Sequence, residues 1–160
     1  MSLSTNDPVE DLRRRLARRH HLIGWCGLLI FLSVGGFLET LHGFKIGFYL
    51  DPTHKLRREL WTLAHAHGTL LALVNVGFAL GVAHFGHWTA SRLKLTSFFL
   101  VDALVLIPTG FFLGGVAHSE SDPSLGVLLV PVGALLLFVA IGLIILSARQ
   151  STEEKKPPNP

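Results

Sequence analysis

The chain has 160 residues, 49% hydrophobic and only 16% charged, with mean hydropathy +0.49 and a formal net charge of +3. A soluble domain averages about 25% charged residues, and here residues 124–148 carry no ionisable side chain at all. A water-soluble globular domain and a disordered tail protein are therefore excluded, and a single cysteine excludes a disulfide-rich module.

Residues 1–21 read as a cytoplasmic basic amphipathic segment. Asp7-Pro8-Val9-Glu10 has the form of a helix start, with Asp7 as N-cap and Pro8 in the first turn. Arg13, Arg14, Arg15, Arg18 and Arg19 follow, on a short surface helix expected to touch anionic lipid rather than nucleic acid. The apolar run after them is too long for a signal-peptide core, so it reads as a retained anchor. Four spans are expected at 22–44, 60–83, 96–117 and 125–147, each long enough to cross a bilayer as helix at about 1.5 Å per residue. Strand alternation is absent from all four, so the fold class is an all-α membrane protein, a four-helix bundle. Residues 149–160 form a polar, proline-rich tail expected to be disordered.

Ten of the 14 lysines and arginines fall on the side of the two termini and the middle loop. The positive-inside rule then puts both termini in the cytoplasm and the chain in the inner membrane. Trp25 and Trp88 are expected at the inner interface, Tyr49 and Trp61 at the outer one. The segments 68–77 and 133–142 align with coincident glycines and share Leu-Leu, while Asp51-Pro52 and Asp122-Pro123 stand before the second and fourth spans. A duplicated helical hairpin would produce this. The second copy lacks the polar residues of the first, which directs attention to the first hairpin.

Ionisable groups inside a bilayer are costly and usually face a bundle interior or a cavity. With span centres near Val34 and Ala72, Glu39 and His67 lie about 8 Å outside the midplane, His65 about 10 Å and His42 about 12 Å. Glu39 and His42 are spaced i and i+3 and share a helix face, as carboxylate and imidazole do when they bind one metal in a bundle. His118, after the third span, is on the same side and joins Glu39, His42 and His65 as a candidate metal ligand. His65 and His67 are about 200° apart on a helix. His65 belongs nearer the small-residue stripe of Ala64, Gly68, Ala72, Asn75 and Ala79, the expected packing face, and His67 turns toward another helix or subunit. Asp102, about 7 Å inside the midplane, is expected to hydrogen-bond Asn75. A sharper reading makes Asp102, Asn75 and Glu39 a proton relay, with Pro108 and Pro131 kinking their spans beside it.

The run Leu63-Ala-His-Ala-His-Gly68 resembles the intramembrane His-x-His of haem–copper oxidase subunit I, and the overall plan is similar to that of small bacterial four-span membrane proteins. The first resemblance covers about six residues and implies that His65 and His67 are cofactor ligands, to haem or a transition metal. The chain is too short to be such an oxidase alone. The expected function is a non-enzymatic membrane subunit or accessory protein, working in the lipid bilayer as a homo-oligomer or beside other membrane subunits, with a polar His/Glu site on its first hairpin. Haem or metal binding, and proton or small-ion passage, are the alternatives.

Overall fold

In a computed structural model, residues 7–85, 88–116 and 122–154 are described, the last four without their side chains. Four helices are long and apolar enough to cross a membrane. The first, α1 (Pro8–Gly43), is continuous over 36 residues. Asp7 caps it through a 3.0 Å hydrogen bond accepted from the Val9 amide. The arginine-rich lead-in is thus the first turns of the spanning helix itself and not a separate surface helix. A short α2 (Gly47–Leu50) and a 3-10 turn (Pro52–His54) lead into α3 (Lys55–His84). Then come α4 (Ala90–Val116), a 3-10 turn (Leu125–Leu128) and α5 (Leu129–Glu154).

The four-helix bundle is assembled in chain order: α1 packs on α3, α3 on α4 and α4 on α5. Among the described residues α1 and α5 do not touch, so each leaves a broad apolar flank uncovered. Two apolar clusters run through the centre. Leu28, Leu71, Ala72, Ala103, Leu104 and Ile107 form one. Leu16, Phe78, Val82, Trp88, Leu93, Leu100 and Ala140 form the other.

Small residues fix the register of the first hairpin. A Cβ added to Gly27 would lie 3.0 Å from the Ala72 Cβ, one on Gly68 would strike the Phe31 ring at 2.3 Å, and one on Gly35 would strike His65 Cε1 at 2.3 Å. Equating the span centres Val34 and Ala72 is therefore corrected, since Gly27 is the residue level with Ala72. The first span is therefore displaced about 10 Å along α3, toward its own Gly43 end, from where its apolar run puts it. Hydropathy locates a helix in the bilayer, but interlocking side chains decide how it slides against a neighbour.

The two prolines also differ. Pro108 is inside α4 and cannot donate to the carbonyl four residues back. Pro131 is the third residue of α5, where the missing amide would have no intrahelical acceptor, so the kink expected in the fourth span has no cause there.

Candidate functional site

The stripe Ala64, Gly68, Ala72, Asn75, Ala79 is buried along α3, with Leu71 beside it. His65 is next to that stripe and reaches across to α1. Its Nδ1–H donates to the Phe31 carbonyl at 2.7 Å, and its ring rests on the bare backbone of Gly35. A carbonyl only accepts, so Nδ1 carries the proton in this contact, and in the neutral ring the lone pair is on Nε2.

One helical turn beyond Gly35 stands Glu39, and His42 is nearly another turn further, at about 6 and 10 Å along the axis. Their i and i+3 spacing keeps them on one face. That face and His65 line a single open cavity of about 370 Å³, bordered also by Tyr49 from α2 and Thr62 from α3. Glu39 and His42 are exposed, His65 half-buried and Tyr49 buried. The α2 segment is held over the hairpin by Arg58, whose Nη1 donates to the carbonyls of Tyr49 (3.0 Å) and Asp51 (3.2 Å). Asp51 braces the turn that follows. Hydrogen bonds from the Thr53 hydroxyl and amide hold its carboxyl below the ordinary carboxylate range.

Beside it, Arg57 is buried with its guanidinium 4.4 Å from the centre of the Phe48 ring. Nε donates to the Gly115 carbonyl, which ties the N-terminal end of α3 to α4. Trp61 does the same, stacked on Phe112 at 5.2 Å and donating to its carbonyl at 3.2 Å.

Of the residues singled out in the sequence, Glu39, His42 and His65 therefore meet at one cavity. His67 is apart from them. Its Nδ1–H donates to Leu63 in its own helix and its ring lies 4.9 Å from that of Phe111 on α4, so the two histidines serve opposite faces. His118 lies outside the described residues. Among those that are described, no three of His, Cys, Asp and Glu converge closely enough to hold a metal ion. A centre built jointly by Glu39, His42 and His65 is thus not assembled as the chain stands.

The expected Asp102–Asn75 pair is corrected too. Asn75 Nδ2 donates to the Leu71 carbonyl and Oδ1 accepts from His20 Nδ1–H at 2.7 Å. His20 Nε2 accepts from the Ser97 hydroxyl, also at 2.7 Å. The level of Asn75 on α4 is Ser97, five positions from Asp102. Asp102 is also about 200° around α4 from the inward-facing Leu100. It is half-buried and makes no hydrogen bond among the described residues. Asp102, Asn75 and Glu39 are not joined by any chain of hydrogen bonds among those residues.

His20 itself went unread in the sequence, because Arg18-Arg19-His20-His21 looks like a solvated run. Its phase with Gly24, Gly27 and Leu28 was the available signal: all lie on the buried side of α1.

No family model, curated protein or solved structure matches the chain. What the site does must then be argued from its own groups. They amount to a carboxylate, two imidazoles and two hydroxyls around one cavity, and neither the Tyr49 nor the Thr62 hydroxyl is hydrogen-bonded to His42 or His65.

Proposed function

We propose that the protein is a non-enzymatic subunit or accessory protein of the membrane, whose α1–α3 hairpin carries a polar His/Glu recognition site. The observation that supports this is the cavity shared by Glu39, His42 and His65. Glu39 and His42 are exposed on that wall, so a carboxyl group and imidazoles are presented together to a partner. The excess of Lys and Arg on the side of the termini supports an inner-membrane location with both ends of the chain in the cytoplasm.

Native mass analysis in mild detergent tests the reading. Wild-type protein should run well above the 17.5 kDa of one chain, in a hetero- or homo-oligomer. Glu39→Gln and His42→Gln should shed the partner while melting temperature and helical content stay unchanged. A particle of one-chain mass, indifferent to both substitutions, overturns it.

One contact favours a second reading, in which His65 ligates haem or a transition metal. Metal-bound histidines commonly donate the other ring N–H to a carbonyl, as His65 does to Phe31. A further cavity of about 190 Å³, lined by apolar Phe31, Val34, Pro108 and Phe112 with Thr109, flanks the same ring. Among the described residues, ligation would rest on His65 alone. An absorption spectrum and metal analysis of purified protein decide it. A Soret band or stoichiometric metal that disappears in His65→Ala supports ligation, and colourless, metal-free wild type retires it.

A further inference from the structure

At the basic end of the bundle, opposite the His/Glu cavity, two cavities open in succession between α1 and α3. The one nearer the start of α1 has a volume of about 320 Å³ and is faced by Arg13, Arg14, Arg18 and Glu10. The next, about 380 Å³, continues deeper and is lined by Leu22, Ala79 and Leu80 along with His21. Ala17, Arg18 and Ala83 belong to both, so the two form one groove. It follows α1 from Glu10 to Leu22, about 18 Å at helical rise. Small side chains make the channel, and Leu22 and Leu80, both more than half exposed, supply its apolar walls.

The charges in this groove are unevenly engaged. Arg13 Nε donates to the Val82 carbonyl at 2.8 Å, and its Nη1 lies 3.3 Å from Glu10. Arg14 Nε is 3.2 Å from the other Glu10 oxygen. Arg18 has no ion pair or hydrogen bond among the described residues, and it stands where the basic cavity becomes the apolar one. Three guanidinium groups face one carboxylate, which leaves the mouth positive.

We infer that this groove seats one anionic phospholipid, its phosphate at Arg18 and Arg14 and an acyl chain laid between Leu22 and Leu80. Charge complementarity selects the headgroup, and the order of the two cavities matches a lipid's order, charge outermost and hydrocarbon toward the bilayer centre. An acidic protein segment would use the first cavity and leave the second empty. The inference is independent of the His/Glu site and stands or falls without it.

The full chain, delipidated in mild detergent, is titrated in a native mass spectrometer. The probes are phosphatidylglycerol, phosphatidylcholine with the same acyl chains, and inorganic phosphate. Wild type should prefer phosphatidylglycerol. Arg18→Gln should weaken that lipid about fivefold, the change expected of one arginine beside an anionic surface, and leave phosphatidylcholine unaffected. Ala83→Phe, on an exposed position lining both cavities, should weaken both lipids by filling the channel. Both variants should retain the wild-type melting temperature without lipid. Equal binding of the two lipids, an unchanged preference in Arg18→Gln, or phosphate alone binding as tightly as phosphatidylglycerol would each overturn the inference.

Discussion

Both ring nitrogens of His20 are occupied inside a fully buried site, Nδ1–H by Asn75 and Nε2 by the Ser97 hydroxyl, with the ring edge-on to Phe78 at 4.7 Å. Three helices are thereby joined by side chains that have no solvent to fall back on. Removing one member strands the others, and a stranded buried polar group costs more than a hydrogen bond adds. His20→Ala, which also opens a hole, should lose about 3 kcal/mol of stability in denaturant titrations followed by helical signal. Asn75→Leu should lose about 2 kcal/mol by leaving the His20 N–H without its acceptor. The double variant should lose less than the sum, because the two residues share one interaction. Additive losses would mean that the hydrogen bond contributes nothing. Thr96 is the opposite case: it is fully buried, and its hydroxyl has no partner among the described residues. Thr96→Val keeps the shape and removes the stranded group, so it should raise stability by about 1 kcal/mol in the same titration. A loss of that size would reveal a partner for the hydroxyl.

The first hairpin illustrates what a one-dimensional pattern can and cannot reveal about an element. The four spans and the buried stripe of α3 were legible, because runs of apolar residues and the 3.6-residue period are properties of one helix, whereas α5 continues to Glu154 through the start of the tail expected to be disordered. The offset between α1 and α3 was not. It depends on Phe31 meeting the bare backbone of Gly68 and His65 meeting Gly35, and neither partner is marked in its own sequence. The candidate site was half legible for the same reason. Glu39 and His42 declared themselves by spacing within one helix, and His65 by its phase, but Tyr49 and Thr62 reach the cavity only through the turn and the register. The interlock can be tested directly. Gly68→Ala places a methyl 2.3 Å from the Phe31 ring and 2.4 Å from its Cγ, so α1 and α3 must separate or shift. A loss of about 2 kcal/mol is expected from such overpacking, along with a weaker His65–Phe31 hydrogen bond. Phe31→Leu in the same chain should recover part of it by vacating the volume. A Gly68→Ala variant as stable as wild type would show that the helices touch less closely than the glycine implies.

Taken as a whole, the molecule has two chemically different ends joined by an apolar middle. One end gathers Arg13, Arg14 and Arg18 at the α1–α3 groove, and the other gathers Glu39, His42, Tyr49 and His65 with the buried Arg57. The chain-order packing leaves α1 and α5 apart, with 22% and 11% of their most apolar windows buried. Lipid must therefore cover most of both outer helices, or a second chain must. A bilayer orients such a molecule by its cations, and the arginine-rich end should remain on the cytoplasmic face. Cys26 is the sole cysteine, so a Cys26→Ser background accepts reporters without interference. Single cysteines introduced as Ser4→Cys and Thr53→Cys should label differently in intact spheroplasts with a membrane-impermeant maleimide. Thr53→Cys, on the exposed turn before α3, should react at once, and Ser4→Cys only after the membrane is permeabilised. The reverse pattern would turn the protein over and put the basic groove against the outer leaflet. Reversing the surplus should also reverse the protein: neutralising Arg14, Arg15 and Arg18 together lowers the basic count beside the first span, and part of the population should then label at Ser4→Cys without permeabilisation.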